Sequence, residues 1–268
     1  NFKWEVRTDL SYEGHRLSVD YFREDMTSWF RDGSVCRTFE YKKYDAGGID
    51  HDALQGPPSL ENMPFVRDTL IENYGITTNG SRLYKQGVEF QYTSKRIPSL
   101  RTRITVNGAW LRTVYRNSQL LYEKPSKVID GKQFPYMGIY DDPDGYTFDI
   151  FNTNFTLDTD IPRLKLGFSA SVQCLWFSTM HTLRRSGVPV AYIDIHGVTH
   201  PYTEASREDK YLQWLLKNYN DEQFKERIED PFNINVNLKV TKRLYGERIA
   251  LAFFVNKLLS YNPDYRSG

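Results

Sequence analysis

Long stretches in which apolar and polar residues alternate one by one are the feature that most constrains this chain. A period of two places one kind of side chain on each face of a β-strand. In the first stretch, Phe2, Trp4 and Val6 alternate with Lys3 and Glu5. The same pattern recurs in residues 84–92, 101–110, 164–176 and 232–241. We therefore expect an all-β fold.

The alternation predicts eight antiparallel strands with connections of two kinds. The predicted strands span residues 1–12, 15–30, 82–97, 100–116, 148–159, 163–181, 231–244 and 248–259. Four connections are tight turns made by Gly or Pro, at Glu13-Gly14, Pro98-Ser99, Asp160-Ile161-Pro162 and Tyr245-Gly246-Glu247. The other three are long and span residues 31–81, 117–147 and 182–230. Because short and long connections alternate, we expect all short turns at one end of the sheet and all long loops at the other.

Two of the long connections contain helix signals. Residues 63–74 resemble a short helix that ends before Gly75, and glycine commonly terminates helices. In the third connection, Ser206 with Asp209 resembles a capping box, and an apolar stripe from Tyr211 to Ile228 roughly follows the helical period. We therefore predict that these loops are folded and carry helices.

Composition argues against several classes of function. With 35 Lys and Arg against 34 Asp and Glu, the net charge of +1 gives no compositional support for nucleic-acid binding. Cys36 and Cys174 are too far apart in sequence for a zinc or redox motif. The longest apolar run, residues 249–255, is far shorter than the roughly twenty residues of a membrane-spanning helix. The sequence contains no Gly-x-Ser-x-Gly elbow and no paired Cys/His arrangement, so we predict no enzyme activity and no cofactor.

Two short segments resemble metal-binding motifs only in part. The segment from Asp141 to Gly145 has acidic spacing like that of a calcium loop, but it lacks the third ligand position and the trailing Glu, and a type I turn is the better interpretation. His196 and His200 are four residues apart with Asp194 nearby, but Gly197 and Pro201 argue against the helix that such spacing requires. We therefore predict no metal site.

Strand length and loop topology favour an outer-membrane β-barrel. Two predicted strands approach twenty residues, whereas soluble strands have a typical length of about five or six. Membrane barrels combine such strands with short periplasmic turns, long external loops and aromatic girdles. The candidate girdle residues are Tyr12, Tyr84, Tyr92, Trp110, Tyr115 and Trp176. A soluble β fold stays open as the alternative, because β-sandwiches alternate in the same way.

Several segments are similar to the C-terminal barrel strands of SusC/RagA-type TonB-dependent outer-membrane transporters. These segments are Gly87–Tyr92, Arg96–Trp110, Phe151–Leu164 and Gln173–Phe177, and Val236–Tyr265 resembles the penultimate hairpin of that family. Members have a plugged 22-stranded barrel. The resemblance implies that residues 1–268 are the C-terminal segment of such a barrel, an arc of about eight strands that lacks the plug and the final strand.

The resemblance also implies a function, which is TonB-dependent nutrient import across the cell outer membrane. The expected partners are outer-membrane lipid, a SusD-like surface lipoprotein that serves as a lid, the TonB complex through the missing N-terminal part, and a glycan or peptide ligand. Two other classes stay open. One is a soluble carbohydrate-binding β module, and the other is a surface adhesion barrel that does not transport.

Candidate site residues fall into two groups. Loop aromatics are candidates for substrate contact, because flat rings stack on sugars and pack on peptide side chains, although the same rings can serve loop packing. These candidates are Trp29, Phe30, Tyr140 and Tyr146. Residues of the polar face would line a barrel lumen, hydrate its wall or touch a plug. These candidates are Arg101, Arg103, Lys165, Asn233, Asn235 and Lys239.

Overall fold

The computed structural model describes residues 1–49, 52, 55–246 and 248–263, and its main feature is one antiparallel sheet of eight long strands. The strands are β1 (Phe2–Tyr12), β2 (His15–Tyr44), β3 (Phe65–Thr93), β4 (Thr102–Asn117), β5 (Gly145–Ile161), β6 (Leu166–Thr182), β7 (Asn233–Leu244) and β8 (Ile249–Tyr261). Each of these strands pairs with the next in chain order, and a short ninth strand, Arg227–Asp230, also pairs with β6. With 65% of the residues in strands and 7% in helices, the all-β prediction is confirmed.

The connections follow the predicted alternation. Short turns join β1 to β2, β3 to β4, β5 to β6 and β7 to β8, so they all lie at one end of the sheet. The first of these turns contains Glu13 and Gly14, both with positive φ, at 47° and 86°. Two consecutive positive φ values are typical of a type I′ turn, whose twist matches that of the flanking strands. The long connections all lie at the opposite end, which we call the loop end.

The predicted helix at residues 63–74 is wrong, because most of that segment belongs to β3. Strands β2 and β3 continue past the rest of the sheet as a paired hairpin, in which Val35 faces Tyr74 and Phe39 faces Leu70. The apolar residues of this segment suit either a helix or a strand. Pairing with β2 decides the outcome, since tertiary contacts commonly override weak local preferences. The first long connection therefore shrinks to residues 45–64.

The predicted helix in the third connection is correct only in part. The α-helix α1 spans Glu204–Glu208, and the Ser206 hydroxyl accepts a hydrogen bond from the N–H of Thr203 at 3.1 Å. Two single 3-10 turns, Leu212–Leu215 and Asp221–Phe224, follow in place of a continuous helix. Asp209 ends α1 and accepts the N–H of Leu212 at 2.9 Å, and Asn220 caps the second turn. Among the described residues, no helix combines the length and the apolar character needed to cross a membrane.

The strand register sorts side chains into two complete rows that run across all eight strands. One row is apolar and consists of Leu10, Leu17, Tyr92, Val106, Phe155, Val172, Val236 and Leu259. The next row, one residue along each strand, is polar and consists of Asp9, Ser18, Gln91, Asn107, Asn154, Gln173, Asn235 and Ser260. Because successive side chains point to opposite faces, the sheet has an apolar face and a polar face.

No second layer covers the apolar face in the described part of the chain. None of the eight residues in the apolar row is buried, and Leu10 is 58% exposed. The fully buried large side chains lie at the loop end, among them Phe134, Met137, Tyr140 and Leu215. Most of the buried apolar residues are therefore in the loops, whereas Ile71, Leu83 and Cys174 are the buried apolar residues of the described long strands.

The second and third long connections form this core together, as a unit we call the loop layer. Four short strands, Leu121–Glu123, Met137–Tyr140, Ala191–Ile193 and Thr199–Pro201, make a small antiparallel sheet. Phe134 from the second connection packs with Leu212 and Leu215 from the third. The loop layer is tied to β3, since the ammonium of Lys124 donates to the carbonyl of Ile71 and the carboxylate of Glu72, both at 2.8 Å.

We predict that Leu215→Ala selectively loosens the loop layer. Leu215 is fully buried, and removing such a side chain costs about 2–5 kcal/mol because a cavity remains. Hydrogen exchange should show lost protection at residues 121–216 and unchanged protection in β5 and β6. Leu120→Ala is the matched control, because Leu120 is 43% exposed in the same layer. Equal effects of the two variants would contradict this account of the core.

Candidate functional site

The loop-end edge of the apolar face carries a collar of aromatic residues. Tyr21, Trp110 and Phe151 lie in one row of the register. Gln86 lies in the next row of the same face, toward the loop end. Its side-chain oxygen accepts hydrogen bonds from the Tyr21 and Tyr84 hydroxyls, at 3.2 and 2.5 Å. Rings with an apolar body and a hydrogen-bonded polar tip suit a boundary between an apolar and an aqueous medium.

A β-bulge enlarges this collar. The register of β6 shifts between Leu175 and Phe177, so Trp176 and Phe177 both lie opposite Phe151. The indole N–H of Trp176 donates to the Thr153 hydroxyl at 2.9 Å. The extra residue therefore places a second large ring on the same face.

The predicted girdle residues separate into three places. Tyr84, Trp110 and Trp176 lie at or beside the collar, whereas Tyr12 and Tyr92 lie toward the short-turn end. Tyr115 is on the polar face, because it is an odd number of residues from Trp110 in an unbroken register. Beyond the collar the apolar face turns polar, with Arg23, Gln86, Arg112 and Asp149 in one row.

The six candidate lumen residues do not all lie on the polar face. Arg103, Asn235 and Lys239 do, since Arg103 faces Asp158 and the other two face Gln173 and Ser169. Asn233 begins β7 on the same face. Arg101 and Lys165 have positive φ and lie in the short turns outside the strands.

On β4 to β8 the middle of the polar face carries mostly neutral amides and hydroxyls, whereas Asp20 and Glu89 face each other on β2 and β3. The amide of Asn154 donates to the oxygen of Asn107 at 3.1 Å, and the Ser260 hydroxyl donates to Asn235 at 2.8 Å. Such side chains present both donors and acceptors without a net charge. This face can therefore stay hydrated or bond a neutral polar surface.

A cleft of about 660 Å³ lies at the loop end, between the β2–β3 hairpin and residues 118–123. Its walls carry the hydroxyls of Ser34 and Thr78 and the side chains of Asp32 and Gln119. Some of these polar groups are already hydrogen-bonded within the protein, because the Thr77 hydroxyl donates to Asp32 at 2.7 Å and the Thr78 hydroxyl donates to Gln119 at 3.0 Å. A wall of this kind suits a polar ligand that offers many hydroxyl or amide groups.

Two arginines share one carboxylate at the edge of this cleft. Arg31 and Arg185 both form ion pairs with Asp144, and the Arg31 side chain is only 9% exposed. The side chain of Asn117 holds Asp144 in place by accepting its backbone N–H at 2.7 Å. Because the three residues come from β2 and from two long connections, the pairing fastens the hairpin to the loop layer.

Three of the four aromatic candidates for substrate contact lie near one another at the loop end. Trp29 and Phe30 pack edge to face with ring centroids 5.6 Å apart, and they belong to β2 and not to a loop. Tyr146 stacks on Tyr115 at 5.5 Å, and the Tyr115 hydroxyl approaches the Phe30 carbonyl at 3.5 Å. Phe30 is 65% exposed and Tyr146 is 37% exposed, so both rings are accessible.

Tyr140 cannot contact a ligand in this structure. Its side chain is 1% exposed, and its hydroxyl donates to the carbonyl of Leu215 at 2.6 Å. Burial raises the pKa of this phenol well above its usual value. Tyr140 belongs to the core of the loop layer, and the half-buried Tyr115 lies with Phe30 and Tyr146 instead.

The two segments with partial metal motifs use their carboxylates for loop structure. Asp142 accepts the backbone N–H groups of Ser186 and Gly187 at 2.7 and 2.9 Å. Asp194 bonds His200 at 2.9 Å. The described residues contain no group of three or more His, Cys, Asp or Glu side chains arranged to hold a metal.

The comparisons with known proteins identify no relative of this chain. No family model matches the chain, and neither the curated proteins nor the solved structures include a significant match.

We predict that acid releases the turn between the last two short strands of the loop layer. The hydrogen bond with His200, together with backbone bonds from Val198 and His196, lowers the pKa of Asp194. A carboxyl with a depressed pKa stabilises the fold above its unfolded pKa, near 3.9, and this stability is lost as the pH falls through the folded pKa.

The amides of His196 and Val198 report on this turn, because both donate to Asp194 at 2.9 Å. Their exchange protection, corrected for intrinsic rates, should hold from pH 7 to 5 and fall below about pH 4. In Asp194→Asn the acceptor stays but the titration disappears, so the fall should vanish. A fall that persists in this variant would exclude Asp194 as its source.

Proposed function

We propose that this chain forms eight consecutive strands of an outer-membrane β-barrel that imports nutrients, of the SusC/RagA type that its sequence resembles. The observation that carries the proposal is the apolar face, which runs unbroken across eight strands and has no protein layer over it among the described residues. A soluble sheet must bury such a face against another layer. In a bilayer, lipid chains cover it.

The height of the apolar face fits a bilayer. On β5 this face runs from Phe151 to Ile161, and Asp149 follows beyond its upper limit. These residues rise about 33 Å along the strand. At the tilt of about 40° that membrane barrels have, this corresponds to roughly 25 Å, the height of their apolar band.

The two ends of the sheet support a larger barrel. Strands β1 and β8 each have a single neighbour among the described residues. Unpaired strand edges do not exist in the hydrocarbon region, because their backbone groups would lack partners. Further strands of a wide barrel would pair with both edges, which makes the present chain an arc with the polar face toward the lumen.

The loop end supports a role in ligand capture. The cleft offers hydroxyls, amides and carboxylates, and Phe30 and Tyr146 present exposed rings near it. A glycan or a peptide would use both kinds of group. We propose that this end faces the exterior, where a surface lipoprotein would dock as a lid, and that the chain performs no catalysis.

We predict that adjacent residues of β6 respond oppositely to a charge. Val172 is on the apolar face and Gln173 is on the polar face, where it is exposed. In the full-length protein in bilayers, Val172→Arg should lower the free energy of unfolding by about 2–4 kcal/mol, because the charge enters hydrocarbon. Gln173→Arg should cost much less. Equal costs, or a larger cost at Gln173, would refute the membrane assignment.

We also predict that the two ends of the sheet differ in access from outside the cell. Cysteines at Gly48 and Ser99 compare them, because both positions are exposed and a side chain at Gly48 meets no atom within 4 Å. Cys36 and Cys174 are first replaced by Ala. An impermeant thiol reagent on intact cells should label Gly48→Cys and spare Ser99→Cys until the cells are lysed. Labelling of Ser99→Cys on intact cells would reverse or remove the proposed topology.

A further inference from the structure

Two arginines face each other across β3 and β4 on the same side of the sheet as the apolar face. Arg82 pairs directly with Arg116 in the register. Both are exposed, and both continue the alternation that places Tyr84, Val88 and Trp110 on that face. Like charges directly opposite each other in an antiparallel pair are destabilising. An arrangement of this kind calls for a compensating anion.

That anion does not come from the described part of the chain. Neither Arg82 nor Arg116 has a carboxylate partner there, although sixteen other ion pairs are present. The two arginines nearer the collar differ in this respect. Arg23 pairs with Asp25 at 3.1 Å, and Arg112 pairs with Asp149 at 2.8 Å.

The position of the pair relative to the collar defines what can reach it. From Trp110 to Arg116 the strand rises about 20 Å, or roughly 15 Å in height at the tilt of a membrane barrel. On the proposed function, the collar marks the outer boundary of the hydrocarbon. The arginine pair then lies further from the hydrocarbon than the phosphate of an ordinary phospholipid, which is attached close to the acyl chains.

We propose that Arg82 and Arg116 bind a phosphate on the sugar headgroup of a glycolipid in the outer leaflet. The acyl chains of this lipid would lie along the apolar face, and its headgroup would rise past the collar. Arginine suits this role, since its planar guanidinium binds phosphate through two parallel hydrogen bonds. This inference rests on the proposed function, because it needs the apolar face to be in a bilayer.

The test measures binding of a phosphorylated glycolipid, presented in bicelles, to the full-length protein. Arg82→Gln with Arg116→Gln should weaken binding by at least about tenfold, because two charge-assisted contacts are lost. Arg82→Lys with Arg116→Lys should bind more tightly than the glutamine pair but more weakly than the unmodified protein, because lysine keeps the charge and loses the paired hydrogen bonds. Arg101→Gln with Arg163→Gln is the matched control, because these exposed arginines lie in the short turns at the other end. It should bind like the unmodified protein.

Two further arms identify the ligand. The same glycolipid without its phosphates should bind the unmodified protein about as weakly as the glutamine pair binds the phosphorylated lipid. Inorganic phosphate at the same concentration should not compete. Unchanged binding by the glutamine pair, equal binding of the dephosphorylated lipid, or competition by inorganic phosphate would each overturn the inference.

The outcome can be separated from that of the proposed function. If Val172→Arg and Gln173→Arg differ as expected while the glutamine pair binds normally, only the lipid site is wrong. If those two variants cost the same, the membrane assignment itself is wrong.

Discussion

Backbone pairing in one continuous register is the constraint on which the rest of this structure depends. Each of the eight strands bonds the next, so a residue's face is fixed by its place in the ladder. A slip of one residue would exchange the two faces of a strand. The register therefore keeps Leu17 and Val172 in one apolar row although they are far apart in sequence.

The sheet and the loops are stabilised by different means. The sheet depends on backbone hydrogen bonds and, on the proposed function, on a medium that covers its apolar face. The loop layer has a packed core of the kind found in soluble proteins, with Leu215 and Phe134 fully buried. Polar contacts such as that of Lys124 with Glu72 then join this layer to β3.

The sequence was sufficient to predict the features that depend on local patterns. Alternation and four turns predicted the eight strands and the side on which each connection lies, because both depend on neighbouring residues. It failed at residues 31–44 and 65–81, which were predicted as part of a long connection and instead pair with each other as strands. The burial of Tyr140 could not be foreseen either, since it depends on Leu215 in another connection. The ion pair between Arg31 and Asp144 likewise could not be predicted, because the two residues meet only in the folded chain.

The shared core of the loop layer has a consequence for the order in which the chain assembles. Its parts come from two separate connections, and the hairpin of β5 and β6 lies between them in sequence. Contacts between Phe134 and Leu215 must close a long stretch of chain, which is slow unless that hairpin already brings their ends together. The local hairpins can each form early from their own short turns. We therefore expect the loop layer to form after the hairpin of β5 and β6, so that a packed loop layer would indicate correctly paired strands.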